Sequence, residues 1–171
     1  MRQVLHVPYT FFPDPCGGTE VYVLDLAKGL VARGLSVAVA APARAAASYE
    51  HDGVPVHRFA IGDGRGLAYA HGEPDVVAAE GFRAIVEQVR PQVVHLHART
   101  SAVSELLVDV AHAAGAGVVL TYHTPTVSCA RGTMLLFGKE PCDGRLDAAR
   151  CGTCVLSGLG MPEAIARSLA S

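Results

Sequence analysis

The chain has 171 residues, half of them hydrophobic, and it contains no tryptophan. A chain of this length can bury roughly 70% of its unfolded surface, so it can hold a core without disulfides. Fourteen Lys and Arg face sixteen Asp and Glu, which gives a formal net charge of −2. Proteins that bind nucleic acids usually carry a basic patch. The sequence has no basic run, which argues against that class.

No apolar run reaches the length of a membrane span. The N-terminal apolar stretch is too short for a signal peptide, and His6 interrupts it. We therefore expect a cytoplasmic protein. In a reducing compartment, five cysteines indicate metal binding or catalysis before disulfides.

The N-terminal third alternates strands and helices. Residues 3–7 predict a strand, followed by a loop that is rich in proline and glycine. Apolar residues then recur at helical spacing from about Thr19, a suitable cap, to Arg33, with Gly34 as a left-handed C-cap. Residues 35–41 predict a strand that is covered on both faces.

The middle of the chain continues this alternation. Residues 54–59 predict a weaker strand, which Pro55 places at a sheet edge. Residues 60–73 are rich in glycine and predict a surface loop. A helix is expected over residues 74–90, and residues 93–97 predict another strand.

The alternation ends after one more helix and one more strand. Thr100 or Ser101 is expected to open the helix and Gly115 to end it, and residues 118–122 predict a further buried strand. Beyond that strand the sequence is rich in Gly, Cys and Pro, and Pro162 is suited to begin a short final helix.

This order of elements is typical of an α/β fold with a Rossmann-like, doubly wound parallel sheet, because parallel strands need helical crossovers. The sheet and its helices account for residues 1–123. An irregular, cysteine-rich segment over residues 124–171 follows, with a short helix, and we expect it to pack on the same domain.

In open parallel sheets, ligands bind outside the carboxyl ends of the strands. Cys16, Gly17, Gly18, Thr19 and Glu20 join the first strand to the first helix. Two glycines allow a ligand to approach the backbone, and the helix N-terminus behind them favours phosphate or hydroxyl groups. A tight turn with an ordinary cap explains the same residues. The segment is neither the dinucleotide fingerprint nor a P-loop, and Cys16 is interpreted as a packed thiol.

Three histidines fall on the same edge. His95 and His97 are two apart on one strand and therefore share a face. His95 is expected to be a hydrogen-bonded core residue, whereas His97, nearer the strand end, is a candidate to line the cleft. His123 follows the next strand directly, where a neutral imidazole can bond a sugar hydroxyl or a phosphate. A structural role remains the alternative for His97 and His123.

Taken in order, the segments GGTEVYVLDLAKGLVARG, VAVAAP, PQVVHLH and VLTYH resemble the N-terminal domain of family 4 glycosyltransferases. Some bacterial members also share a pattern like SCARGT…EPC…C..C after the second histidine. The resemblance implies the N-terminal, acceptor-side half of a GT-B fold. It implies a retaining hexosyltransferase-type enzyme that moves a sugar from a nucleotide-sugar to a carbohydrate or lipid-linked acceptor. Attachment to the inner membrane face is compatible with such an acceptor.

The resemblance also assigns roles to residues. Gly17 and Gly18, with Thr19 and Glu20 completing the motif, would approach the donor phosphate or the transferred sugar. His123 would bond that sugar near the reaction centre, and His97 would line the acceptor side. Glu20 has the simpler role of complementing the helix dipole. Many relatives have Asp where Thr124 stands, so a function of that carboxylate is not carried over.

In such a family the nucleotide binds to a C-terminal domain, which is expected to be missing from this chain, so the chain alone is expected to be inactive. No catalytic metal is expected, because helix dipoles and basic side chains stabilise a leaving diphosphate.

Cys129, Cys142, Cys151 and Cys154 have the spacing C-x12-C-x8-C-x2-C. Thiolates bind zinc in tetrahedral fours, and a C-x-x-C pair lets one tight turn supply two ligands. We predict one structural zinc per chain at these residues. An iron–sulfur cluster, two disulfides and unpaired thiols are the alternatives.

Two other functions are compatible with this architecture. A nucleotide-sugar epimerase-like enzyme would need acid–base carboxylates in the cleft, for which Asp14 is the only loop candidate. A zinc-stabilised interaction module without catalysis would bind neither a nucleotide-sugar nor an acceptor.

Overall fold

The computed structural model describes residues 3–14, 17–63, 73–125 and 128–170. The chain folds into two compact units, Met1–His123 and Thr124–Ser171. Most of the loop predicted over residues 60–73 lies outside the described residues. No helix in the described part of the chain is long and apolar enough to cross a membrane.

The strands of the described residues are β1 Gln3–Val7, β2 Ser36–Ala43, β3 Ala47–His51, β4 Val54–Ala60, β5 Val93–Leu96, β6 Gly117–Leu120, β7 Leu135–Leu136 and β8 Glu140–Pro141. The helices are α1 Gly18–Val31, α2 Val76–Val89, α3 Glu105–Ala113, α4 Ala148–Gly158 and α5 Glu163–Ala170.

The first unit is built on a six-stranded sheet in the order β3-β4-β2-β1-β5-β6. All neighbouring strands are parallel except β3 and β4. The chain first adds strands on one side of β1 and then crosses to add β5 and β6 on the other side. This reversal confirms the predicted doubly wound α/β sheet.

Each face of the sheet has its own core. Alternate residues of the strands, such as Leu5 and Val7 of β1, point towards α2 and α3 and pack there with Phe82 and Leu107. The other face packs against α1 and Phe11, through residues of β2 and β4. The histidines of β1 and β5 lie on this second face, because their strand neighbours point to the first.

The edge prediction for β4 is wrong. β4 pairs with β2 on one side and with the missed strand β3 on the other, so β3 occupies the edge. Pro55 is tolerated because its register with β2 starts only at Val56. The segment of β3, ASYEH, is mostly exposed, and its polar sequence hides it from a hydrophobic-pattern search.

The beginnings of two helices also differ from the prediction. α1 begins at Gly18 with Gly17 as its N-cap, so Thr19 is not the cap. α3 begins four to five residues later than expected, with Ser104 as N-cap. Thr100 instead closes a turn before the helix, because its hydroxyl accepts a hydrogen bond from the Val103 N–H at 3.1 Å. Gly34 adopts a positive φ of 81°, as predicted, and Gly115, which was expected to end its helix, has a φ of 77°.

The prediction that the last strand of the sheet is buried is wrong. β6 lies at the sheet edge, and Val119 and Leu120 are about half exposed, at 47% and 51%. The apolar run of residues 118–122 predicts a buried strand, but within residues 3–123 the described sheet continues on only one side of β6.

The second unit contains the β7–β8 hairpin and the helices α4 and α5, which pack on each other. α4 was not predicted. Its N-cap is Asp147, whose side chain accepts a hydrogen bond from the Arg150 N–H at 2.7 Å. Because α4 carries Cys151 and Cys154, the C-x-x-C pair lies on a helix and not on the predicted tight turn.

Candidate functional site

The strand order reverses between β1 and β5, and the carboxyl ends of both strands open on one edge of the sheet. The sheet register continues beyond the strand ends, since the His97 N–H donates to Val7 O and the Thr121 N–H donates to Leu96 O, both at 2.9 Å. The backbone that carries His97 and Thr121 is therefore held by the sheet. This is the position where ligands bind in open α/β sheets.

The N-terminus of α1 contributes Gly17 and Gly18, both exposed. Neither needs a positive φ, so backbone conformation does not explain the pair. A Cβ at Gly18 would meet no atom of the described chain within 4 Å, and one at Gly17 would make only an ordinary contact with Glu20 at 3.6 Å. The space in front of the helix N-terminus is open, and a ligand can approach the backbone there.

Glu20 is fully buried in the first turn of α1. Its Oε2 accepts a hydrogen bond from the Gly17 N–H at 2.7 Å, which closes the turn and complements the helix dipole. Among the described residues, Oε1 has no hydrogen-bond partner. The side chain therefore fixes the glycine turn, in line with the simpler role expected for it, and Thr19 lies half-buried beside it.

Four histidines lie together on one face of the sheet. His6 on β1 and His97 after β5 are joined by a 3.0 Å contact between His6 Nδ1 and His97 Nε2. His97 Nδ1 lies 3.1 Å from His123 Nε2. The ring of His95 lies against that of His97, with centroids 4.0 Å apart, and His95 Nε2 contacts the Thr121 hydroxyl at 2.6 Å.

Burial keeps the inner imidazoles neutral. His6 is 0% and His97 2% exposed. Desolvation, followed by the charge of His95, lowers the pKa of His6 to about 4. Desolvation and the charges of His95, His6 and His123 lower the pKa of His97 to about 2. At neutral pH each ring has one N–H and one bare nitrogen.

His123 is half-buried and lies at the outer end of this cluster. Tyr22 of α1 meets it edge to face, with ring centroids 5.0 Å apart, and also lies 6.0 Å from His97. Tyr22 therefore ties the helix to the histidines. The side chains of His123 and Tyr22 are both partly exposed at this edge.

The sequence identified most of this cluster but missed two members. His95 is hydrogen-bonded, as expected, but it is only half-buried and is therefore not the core residue that was predicted. His97 is buried and does not line an open cleft. His6 and Tyr22 were not proposed, because a histidine within an apolar strand and a tyrosine on a helix carry no motif. Cys16 lies outside the described residues.

The four cysteines that were predicted to bind a metal lie together in the second unit. Cys129, Cys142, Cys151 and Cys154 all line one cavity of about 30 Å³, and all four are free thiols. Cys151 and Cys154 reach it together because residues three apart share a helix face. The structure does not contain the disulfides that were one alternative.

Two of these sulfurs accept backbone hydrogen bonds. The Phe137 N–H donates to Cys154 Sγ at 3.1 Å. Burial alone would raise the pKa of Cys129, but backbone N–H groups of the Arg131–Met134 turn offset this, and its pKa lies below the ordinary value. Four thiols around a small cavity, with N–H donors directed at the sulfurs, are a donor set that suits zinc.

We compared the chain with models of known protein families and with known proteins. The family model described as "Glycosyl transferase 4-like domain" matches residues 17–154. The matched region includes the glycine turn, both strand-end histidines and the four cysteines. The chain therefore belongs to the family of glycosyl transferase 4-like domains. No curated protein matches it.

Solved structures resemble the chain in fold. Sucrose-phosphate synthase from Thermosynechococcus elongatus is 18% identical with a TM-score of 0.53, over 74% of this chain and 34% of that protein. The catalytic domain of starch synthase IV from Arabidopsis thaliana, bound to ADP and acarbose, is 18% identical with a TM-score of 0.46, over 96% and 38%. The chain spans little more than a third of either protein. The first likeness confirms the Rossmann-like half of a GT-B fold.

The buried histidines make the stability of the first unit depend on pH. His6 and His97 titrate below their unfolded value of about 6.5, so the unfolded chain binds more protons as the pH falls. The contribution of these two histidines to the free energy of unfolding is therefore close to its full value above about pH 6.5 and declines as the pH falls below it. We expect a loss of about 2.5 kcal/mol between pH 7 and pH 5.5 for the two residues together, since each approaches a slope of about 1.4 kcal/mol per pH unit below pH 6.5.

Urea unfolding followed by tyrosine fluorescence measures this, because all five tyrosines lie within residues 1–123. His6→Leu should reduce the pH dependence without abolishing it, because the pKa values of His97, His95 and His57 are lowered as well, whereas the exposed control His112→Gln should leave it unchanged. Equal slopes in His6→Leu and in the unsubstituted protein would contradict the assignment.

Proposed function

We propose that this chain is the acceptor-side half of a glycosyltransferase that moves a sugar from a nucleotide-sugar to a carbohydrate or lipid-linked acceptor. A C-terminal domain that binds the nucleotide completes the enzyme. The observation that carries the proposal is the convergence of the open glycine turn and His123 at the switch point of a glycosyl transferase 4-like domain.

Two groups at this edge are suited to different parts of the substrate. The N-terminus of α1 offers backbone N–H groups and a partial positive charge, which suit a phosphate or the hydroxyls of the transferred sugar. His123 supplies an imidazole at the end of a hydrogen-bonded chain of histidines. Such preorganised groups stabilise charge that develops in the transition state.

We propose transfer with retention of configuration, in which His123 holds the sugar and is not the nucleophile. The leaving phosphate then acts as the base that accepts the proton of the acceptor hydroxyl. In this mechanism the bond between the sugar carbon and the phosphate oxygen breaks, and the bond to the acceptor oxygen forms on the same face. The basic side chains that stabilise the leaving diphosphate belong to the C-terminal domain.

The test is turnover by the full-length protein with a panel of nucleotide-sugars that includes UDP-glucose and GDP-mannose. Retention is measured from the anomeric coupling constant of the product. The 171-residue chain alone is the control and should be inactive. An epimerase-like enzyme would convert the donor without an acceptor, and a pure interaction module would bind neither substrate; either result would replace the proposal.

We also propose one structural zinc, held by Cys129, Cys142, Cys151 and Cys154. The cavity they share and the N–H donors at Cys129 and Cys154 support it. With four protein ligands and no open position, the ion would cross-link the hairpin region to α4 and would have no catalytic role.

His123→Ala in the full-length protein should lower turnover by on the order of 10² to 10³, the usual effect of losing one positioned donor. The fold should be retained, because the half-buried ring supports little packing, with a stability loss of about 1–3 kcal/mol as buried His97 loses a partner. The control His112→Ala removes an exposed histidine of α3 and should keep full activity. If His123→Ala keeps near-normal turnover, or loses activity only because it unfolds, then His123 is structural.

Gly18→Ala separates a ligand-binding role from a folding role. The added methyl meets no described atom within 4 Å, and alanine is favoured over glycine in helices by up to about 1 kcal/mol. Stability should therefore hold or rise. Activity should fall on the order of tenfold or more if a ligand approaches this backbone, since small misplacements at the reacting centre are costly.

The matched control is Gly29→Ala in the same helix, where the new methyl makes only an ordinary contact with Arg33 at 3.5 Å. It should leave the kinetics unchanged. Unchanged kinetics in Gly18→Ala as well would show that the turn does not contact the substrate.

Protein purified under reducing conditions should contain about one zinc per chain by elemental analysis. Chelation should disorder residues 128–160, because zinc sites of this kind provide about 10–16 kcal/mol of apparent binding free energy. Tyrosine fluorescence, which reports only on the first unit, should not change. Cys129→Ser should lose the metal and Cys16→Ser should retain it; a metal-free protein rules the site out.

A further inference from the structure

His6, His97 and His123 are joined by two ring-to-ring contacts that run from the interior of the sheet to its edge. His6 Nδ1 and His97 Nε2 are 3.0 Å apart, and His97 Nδ1 and His123 Nε2 are 3.1 Å apart. Both separations are normal hydrogen-bond lengths. His97 uses both nitrogens, so as a neutral ring it must donate to one neighbour and accept from the other.

The chain of bonds therefore has only two directions. In the outward direction, His6 donates to His97, His97 donates to His123, and His123 keeps its hydrogen on Nδ1. In the inward direction every donor is reversed, and His6 must carry a hydrogen on Nε2.

The surroundings of His6, at the buried end of the chain of histidines, favour one of these two directions. His6 Nε2 is buried and has no hydrogen-bond partner among the described residues. The inward direction would leave an N–H there without an acceptor, whereas the outward direction leaves only a lone pair. Orphaned buried N–H groups are rarer in proteins than under-satisfied acceptors. The outward direction is therefore the more stable one.

We propose that this directional chain fixes His123 in the tautomer with its hydrogen on Nδ1, and that His97 is a positioning residue behind it. His123 then presents a donor to whatever binds at the edge. Its preferred partner is an oxygen that accepts, such as a phosphate oxygen or the lone pair of a sugar hydroxyl. The tautomer rests on geometry alone, and its role in transfer rests on the proposed function.

A metal ion is the alternative occupant of this cluster. The ligand nitrogens of His6, His95 and His97 lie within 4.8 Å of one another. However, two nitrogens bound to tetrahedral zinc at 2.0–2.1 Å lie about 3.3 Å apart, farther than the 3.0 Å between His6 and His97. Histidines that bind metals also normally donate their other N–H to a partner, which His6 Nε2 lacks. A hydrogen bond therefore explains the contact between His6 and His97 better than a shared metal ion does.

The proposal explains why a buried histidine stands where a cleft residue was expected. His97 is too buried to meet a ligand, but it controls the face that His123 shows to one. Histidine side chains in water favour the hydrogen on Nε2. The structure therefore predicts the opposite tautomer at His6, His97 and His123.

Two-bond 1H–15N correlation spectra of the protein labelled with 15N-histidine read each tautomer directly. At pH 7.5 we expect His6, His97 and His123 to carry their hydrogen on Nδ1. His57, which contacts Ser48 outside the chain of histidines, is the internal reference. A hydrogen on Nε2 of His123 would overturn the proposal, as would resonances of His6 and His97 that shift when a chelator is added.

Two substitutions at His97 test its role as a positioning residue. The amide nitrogen of His97→Asn can donate to His123 from nearly the place of Nδ1, so His123 should keep its tautomer. His97→Leu offers no donor, so His123 should revert to the form that water favours. The wild-type spectrum decides the tautomer even if the Leu variant does not fold. An unchanged His123 in a folded Leu variant would show that His97 does not set the tautomer.

Turnover of the full-length protein gives a separate reading. His97→Asn should retain on the order of tenfold more activity than His97→Leu, in the range known for residues that orient a ligand from behind. Equal activities would contradict the link to catalysis. If no nucleotide-sugar is turned over by any variant while the tautomers are as expected, the proposed function fails and the histidine chain stands.

Discussion

The reversal of strand order between β1 and β5 is the constraint on which the first unit depends. Because both strands are parallel, their carboxyl ends must open on the same edge. The chain leaves β1 there and enters α1, so the helix N-terminus is brought to the same edge as the ends of β5 and β6. No side-chain contact is needed to create this cleft. The side chains only determine what it recognises.

The histidines illustrate how the sheet then restricts chemistry. Alternation along β1 and β5 places His6, His95 and His97 on the face opposite to the main core. Burial makes charge unfavourable there, which lowers the pKa of His6 and His97. Neutral rings that are linked through both nitrogens must all donate in the same direction along the chain. In our proposal, this desolvated cluster thereby fixes the tautomer of the half-exposed His123.

The sheet and its candidate ligand edge could be predicted from the sequence, because apolar periodicity and the glycine turn indicate them directly. The edge strand β3 could not, since its exposed residues carry no hydrophobic pattern. The exposure of β6 could not either, because an apolar run does not reveal which strands lack a neighbour. Helix α4 could not be predicted either, because its glycines and cysteines are not typical of a helix. The partnership of His6 with His97 depends on the pairing of strands about ninety residues apart, which local patterns do not encode.

The central claim is that the edge formed by the glycine turn and His123 holds the transferred sugar. The most direct test is a crystal structure of the full-length protein with a bound, unreacted nucleotide-sugar that has been identified by turnover. The account predicts the sugar between the backbone of Gly17 and Gly18 and the ring of His123, with an accepting oxygen of the ligand at His123 Nδ1. A sugar bound elsewhere, with His123 and both glycines free of contact, would contradict it.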